Sequence, residues 1–177
     1  LEVNASKNDK DFIMAVNWKK AEEYIKAGKG KKVPVKYAHN VFDEKTHTAT
    51  SEIKKEVLVL NTKELKDICY FIPCPKSPHG CDVDPTGEYI VGSGKLAATI
   101  PVFSFTKIQN AIASKTFDGE YDGIPVLKYD AVLHGEVQKP GLGPLHTEFD
   151  AKGNAYTSFF VSSEIVKWDV KSLKVLD

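Results

Sequence analysis

The chain has 177 residues, of which 42% are hydrophobic and 27% charged, with 24 basic and 24 acidic side chains. That is enough to bury one sizeable core, with the composition of an ordinary soluble globular protein. Balanced charge argues against a nucleic-acid or anionic-membrane partner, and the apolar runs are far too short to span a bilayer.

Leu1 is not an initiator methionine, and the first residues lack the basic and apolar regions of a signal peptide. The chain, whose last residues read as ongoing structure, is expected to be part of a longer protein. The first predicted strand is Ile13 to Val16, ending in a turn at Asn17. A short amphipathic helix follows from Lys19 to Ala27, stopped by Gly28. The polar stretch from Tyr37 to Ser51, with His39 and His47, reads as a solvent-facing loop. Strands are predicted at Val57 to Leu60 and at Cys69 to Ile72, the second leading to a turn at His79. A hairpin turn from Asp84 to Gly87 precedes a strand from Tyr89 to Gly92. Val102 to Phe105 is another strand, followed by a helical turn or two from Lys107 to Ala113. Thr116 to Pro140 reads as an inserted loop punctuated by glycines, with His134 facing solvent. A second Asp-x-x-Gly turn, Asp150 to Gly153, precedes a strand from Ala155 to Val161, and the last strand runs through Lys167 and Trp168.

A strand, a polar turn and a basic stretch recur at Asn17, Asn61, Thr106 and Asp169, at intervals of roughly 40–50 residues with a longer last one. That period suits four-stranded propeller blades, so the expected fold is all-β, a partial propeller of about three to four blades with short helical decorations. A smaller β-sandwich is the other architecture these strands permit.

Two histidines sit in matching frames. His79 lies in Ser-Pro-His-Gly-Cys-Asp (77–82) and His146 in Gly-Leu-Gly-Pro-Leu-His-Thr-Glu-Phe-Asp (141–150). Each follows a proline-containing turn and precedes an Asp-x-x-Gly turn and an aromatic strand. Their separation along the chain has no local metal-motif spacing. The shared frame is what would aim both imidazoles at one centre, where neutral histidine is a donor for copper, zinc or iron. Asp84 and Asp150 read first as turn carboxylates bonding local N–H groups. Lys167, in a Val-Lys-Trp strand, faces solvent or, on a channel wall, would stabilise an anion. Cys69, Cys74 and Cys81 fit no zinc or redox motif and read as buried or half-buried thiols, with one disulfide open to them in an oxidising compartment. Triads, P-loops and dinucleotide fingerprints are absent.

Residues 77–82, the run Gly-Leu-Gly-Pro-Leu-His-Thr-Glu-Phe-Asp-Ala-Lys-Gly-Asn-Ala-Tyr-Thr-Ser (141–158) and Val-Lys-Trp (166–168) closely resemble the nitrous-oxide reductase family, and the likeness extends from about Asp11 to Asp169. The resemblance implies that residues 1–177 are part of an N-terminal seven-bladed β-propeller. That domain carries a tetranuclear copper-sulfide cluster held by seven histidines, and a C-terminal cupredoxin domain carries a dinuclear copper site. It implies reduction of nitrous oxide to dinitrogen and water by a periplasmic homodimer, fed by a cytochrome c or cupredoxin. By resemblance, His79 and His146 are two cluster ligands and Lys167 lies beside the cluster. Asp11 matches a calcium ligand, Ala5 a calcium-binding backbone carbonyl, and Ser77 stands where many relatives have an asparagine calcium ligand. The histidine-triplet motif, the Cys-x-x-x-Cys copper motif and the cupredoxin domain are absent from this sequence. The chain alone is therefore expected to be inactive, with the remainder of the polypeptide as its first partner. The contrasting reading is a non-catalytic propeller platform with structural histidines.

Overall fold

A computed structural model describes residues 11–138 and 140–177, without the side chains of 36–40 and 52–54. Ala5 lies outside the described residues. The chain divides into two compact units, residues 16–68 and a larger one built from the N-terminal strand and residues 69–177.

The smaller unit holds helix α1 (Trp18–Lys26) and strands β2 (Lys31–Asp43) and β3 (Thr48–Val59). Asn17 caps α1, its side chain accepting from the Lys20 N–H at 3.0 Å, which satisfies one of the orphan donors of the first turn. The expected loop over 37–51 is instead the far half of a long antiparallel ribbon in which His39 pairs with Glu52. The reason is that residues 41–51 are exposed on both faces, Phe42 included at 60%. A ribbon wet on both sides needs no apolar alternation, so the strand pattern was not there to read. Only the turn survives of the loop: Asp43 Oδ1 accepts from the Lys45 and Thr46 N–H groups, and His47 takes a positive φ of 52°.

Three sheets make up the larger unit. The first has the order β1-β4-β9-β8, from β1 (Asp11–Val16), β4 (Cys69–Cys74), β8 (Phe117–Tyr121) and β9 (Ile124–Leu127). The middle one runs β10-β7-β6-β5, from β5 (Pro78–Val83), β6 (Tyr89–Gly94), β7 (Thr99–Ser104) and β10 (Leu133–Gln138). The third is the meander β11 (Pro144–Phe149), β12 (Asn154–Phe159) and β13 (Glu164–Asp169). Helices α2 (Phe105–Ala113) and α3 (Tyr129–Val132) are short decorations. The architecture is all-β as expected, and among the described residues no sheet closes into a barrel. No helix among the described residues is long and apolar enough to cross a membrane.

The central strands of the middle sheet, β6 and β7, are buried on both faces. Val91, Ile100, Val102 and Val137 pack on one side with Ala155, Phe159, Val166 and Trp168 of the third sheet. Phe103 packs on the other side with Ile13, Tyr70, Ile72, Cys74 and Leu127 of the first. Strand alternation sends successive side chains to opposite faces, so one near-continuous apolar run such as Ile100–Phe103 feeds both cores.

The expected insertion at 116–140 is a correction. Its apolar run Ile124–Leu127 is a buried strand beside β4, and β10 completes the middle sheet against β7. Glycines there mark defined backbone features rather than a loose loop: Gly123, at φ +78°, makes the β8–β9 turn, and Gly119, at φ +83°, sits inside β8 where its register slips. His134 is consequently half-buried, its ring 4.8 Å from that of Tyr89 and its Nε2 3.0 Å from the Lys171 carbonyl. The four recurring turns are also not four equivalent positions. Those after β7 and β13 follow the third strand of a meander, whereas Asn17 follows an edge strand and Asn61 follows the ribbon.

Both Asp-x-x-Gly turns form as expected. Gly87 and Gly153 sit at φ +76° and +85°, and their N–H groups donate to the carbonyls of Asp84 and Asp150. The Asn154 side-chain amide, then its backbone N–H, the Lys152 N–H and the Tyr156 hydroxyl hold the Asp150 carboxyl down at about 2. A carboxylate depressed on folding contributes stability that is fully present above its ordinary value near ~3.9 and is lost as pH falls through the folded value. Asp150→Asn is therefore expected to narrow its stability gap from the wild type as pH drops from about 4 to 2. Urea midpoints measured across that window check this, and a gap independent of pH would refute it.

Candidate metal centre

β5 and β11 are the first strands of consecutive sheets, and the sequence builds both the same way. Each opens on a proline, Pro78 or Pro144, preceded by a residue in left-handed backbone, Ser77 at φ +57° or Gly143 at φ +77°. Each then slips register at its histidine, between Pro78 and Gly80 on β5 and between Pro144 and Thr147 on β11. A bulge releases a residue from the ladder and re-aims its side chain. His79 and His146 occupy those released positions, and their rings meet edge to face with centroids 5.0 Å apart at 80°. Both residues are exposed.

Three contacts fix the pair. Asp82 reaches from β5 to β11, where its Oδ2 accepts from the Thr147 N–H at 2.8 Å and its Oδ1 lies 3.4 Å from His146 Nδ1. Gly80 lets the strands approach, since a Cβ there would strike the Leu145 carbonyl and crowd Asp82 and His146 Nδ1. The segment 95–97 ties both turns, its Lys95 N–H donating to the Ser77 carbonyl at 2.8 Å and its Ala97 carbonyl accepting from Gly143 at 3.0 Å. Gly80→Ala is expected to destabilise the fold by about 1–3 kcal/mol, the usual cost of overpacking. A urea midpoint equal to the wild type would show that the two strands are not pressed together there.

Two neighbouring imidazoles open to solvent are a donor pair for a borderline-soft transition metal. Asp82 engages Nδ1 of His146 and leaves Nε2 for a metal, the arrangement in which a carboxylate fixes ring orientation and tautomer. The pair is not a complete site: among the described residues no group of three or more His, Cys, Asp or Glu side chains is gathered closely enough to hold a metal ion. Two imidazoles would fit a transition-metal centre only as part of a larger donor set.

The remaining expected site residues fall in two places. Asp11 and Ser77 meet, with the Ser77 N–H donating to Asp11 Oδ2 at 2.6 Å. Asp11 also lines a cleft of about 220 Å³ with Asp118, Glu120 and Tyr129, but these carboxylates are not gathered closely enough to hold a metal ion by themselves. Lys167 stands on β13, with β12 between it and β11, its ammonium 5.7 Å from the Tyr156 ring centroid. Asp82 and Gly80 were missed as functional residues, although both sit within the quoted hexapeptide. The signal that could have found them is their matching parity on β5, which turns both toward the same side.

Two of the three sheets of the larger unit are thus led by a bulged strand that presents a histidine, and these two histidines meet ring to ring in an all-β chain. No protein-family model matches the chain. It is 30% identical over 167 residues to the nitrous-oxide reductase of Stutzerimonas stutzeri, covering 93% of this chain and 22% of that protein. It is 33% identical over 170 residues to the nitrous-oxide reductase of Pseudomonas fluorescens, again 93% of this chain and 22% of the relative. With that of Cupriavidus necator the identity is 38% over 100 residues, 56% of this chain and 14% of the relative. Over this stretch the chain belongs to the nitrous-oxide reductase family, and it spans about 22% of the length of the first two relatives.

Proposed function

We propose that this chain is part of the copper-bearing β-propeller of a nitrous-oxide reductase and supplies His79 and His146 to its copper-sulfide cluster. The observation that carries the reading is the meeting of the two rings at 5.0 Å from matching bulges on separate sheets. Copper bound there would supply the electrons that reduce nitrous oxide to dinitrogen and water. The chain's own residues hold the donors: Asp82 orients His146, the bulges present both rings, and segment 95–97, with Asp82 and Gly80, sets their spacing. Asp11 and Ser77, with the Ala5 carbonyl, are proposed at a calcium site beside the centre. Lys167 enters the proposal on likeness to the family alone, as a cation that would steady an oxygen product. The complete enzyme is proposed to be a periplasmic homodimer, with a cupredoxin domain elsewhere in the polypeptide, reduced by a cytochrome c or a cupredoxin. A non-catalytic platform is not favoured, because the relatives are named for a reductase.

The test is Asp82→Asn in the complete reading frame. Loss of a carboxylate that orients a ligand is expected to weaken copper binding by about 10–100-fold. Copper titration against a competing chelator measures it, and unchanged affinity would remove Asp82 from the centre.

A further inference from the structure

We propose that Cys74 and Cys81 are a dithiol pair that closes to a disulfide and staples the first sheet to the edge strand of the middle one. The proposal goes beyond the copper reading and does not depend on it. Cys74 ends β4 and is buried, Cys81 lies on β5 and is exposed, and both are free thiols here. The β5–β6 ladder sets Cys81 directly opposite Gly92. Opposed residues of an antiparallel pair carry their side chains on one face, with Cβ atoms about 4.5–5.5 Å apart. Gly92 has no side chain, and the Cys74 Sγ occupies that space, 3.0 Å from where a Cβ would stand. The Cys74 sulfur thus lies against the position facing Cys81.

Strand parity agrees. Gly80 and Asp82 turn toward β11, so Cys81 between them turns the other way, toward the first sheet. Phe103, whose ring touches the same face of Gly92, shares a core cluster with Cys74. The two thiols also sense each other: burial first, then Cys81, pushes the Cys74 thiol up to about 12. Cys69 is an odd number of residues away on β4 and takes the opposite face. Closure requires the two Cβ atoms to approach to about 3.8 Å, and β5 is hydrogen-bonded into its sheet on one side only.

Glutathione disulfide supplies the oxidising equivalents. The exposed Cys81 thiolate attacks one of its sulfurs, that S–S bond breaks, and one glutathione leaves and takes up the proton Cys81 lost. The Cys74 sulfur then attacks the Cys81 sulfur of the mixed disulfide, and the second glutathione leaves with the Cys74 proton. Two electrons pass from the cysteine sulfurs to glutathione disulfide, and one S–S bond replaces another. The product anchors β5 two residues from His79.

The complete reading frame carrying this chain, as wild type and with Cys69→Ser, is equilibrated with glutathione disulfide, quenched in acid, denatured, alkylated and cut with trypsin. Cleavage after Lys76 separates the two cysteines onto peptides 67–76 and 77–95. The expected product is those two peptides joined, lighter by two hydrogens than their sum, separated by reduction and present in both proteins. Fragment sequencing of the wild-type product is expected to place the alkyl group on Cys69. Alkylation of both Cys74 and Cys81, glutathione retained on Cys81, or a link through Cys69 or any other cysteine overturns the proposal.

Discussion

His146→Ala, made in the complete reading frame, is expected to abolish nitrous-oxide turnover and the optical signature of the copper-sulfide cluster. The argument is one of donors. His79 and His146 are the two imidazoles this chain brings together, and removing one leaves a single ligand opposite a carboxylate, Asp82, that no longer has a ring to orient. Loss even of a group that only orients a ligand typically costs about 10–100-fold in metal affinity or activity, and loss of the ligand itself removes a metal–donor bond as well. Stability is expected to change little, because the His146 side chain is 57% exposed and surface substitutions of this kind stay within about 0.5 kcal/mol. That separation makes the experiment decisive: copper and activity vanish while the urea midpoint holds. His79→Ala should behave alike. His134→Ala, whose ring rests on Tyr89 away from the pair, should keep its copper. Full copper content and turnover in both His79→Ala and His146→Ala would end the copper reading.

Trp168→Ala is expected to cost about 3–5 kcal/mol, as for large aromatic truncations in a packed core. Trp168 is 0% exposed and sits in the cluster that joins the third sheet to Val91, Ile100 and Val102 of the middle one. Its Nε1–H also donates to Thr157 Oγ1 at 2.9 Å, and that hydroxyl pairs with Thr147 at 2.7 Å. Trp168→Phe keeps most of the buried area and gives up the hydrogen bond, so it should cost only about 1 kcal/mol beyond the change in packing. Denaturant unfolding of both variants separates packing from polar pairing. A loss below about 1 kcal/mol for Trp168→Ala would mean that the third sheet is not seated on the middle one.

What could be read from the residues was local. The two Asp-x-x-Gly turns announce themselves because the aspartate, the glycine and the N–H groups they need lie within four positions. The matching histidine frames were legible for the same reason, since each bulge is written in a proline, a residue with positive φ and a histidine close together. What stayed hidden depends on distant partners. Asp82 becomes an orienting group only when β11 arrives opposite β5. Ile124–Leu127 looked like part of a glycine-rich loop because its burial comes from β4, far back in the chain. The ribbon was missed for the opposite reason: residues 41–51 are exposed on both faces, so no alternation recorded their pairing. The slot at Gly92 that receives the Cys74 sulfur is likewise written in residues eighteen positions apart.

Segment 95–97 has a consequence for how this protein can be altered. It is the common tether of both histidine turns, bonded to Ser77 on one side and Gly143 on the other, so this short connection joins Asp82 and the close approach at Gly80 in setting the gap between the imidazoles. A single residue inserted between Lys95 and Ala97 would lengthen the tether and shift one ring against the other while every strand kept its pairing. The separation of the two imidazoles is in this sense a dimension encoded in part by a three-residue ruler, and an engineer wishing to retune the centre would edit the ruler before the ligands.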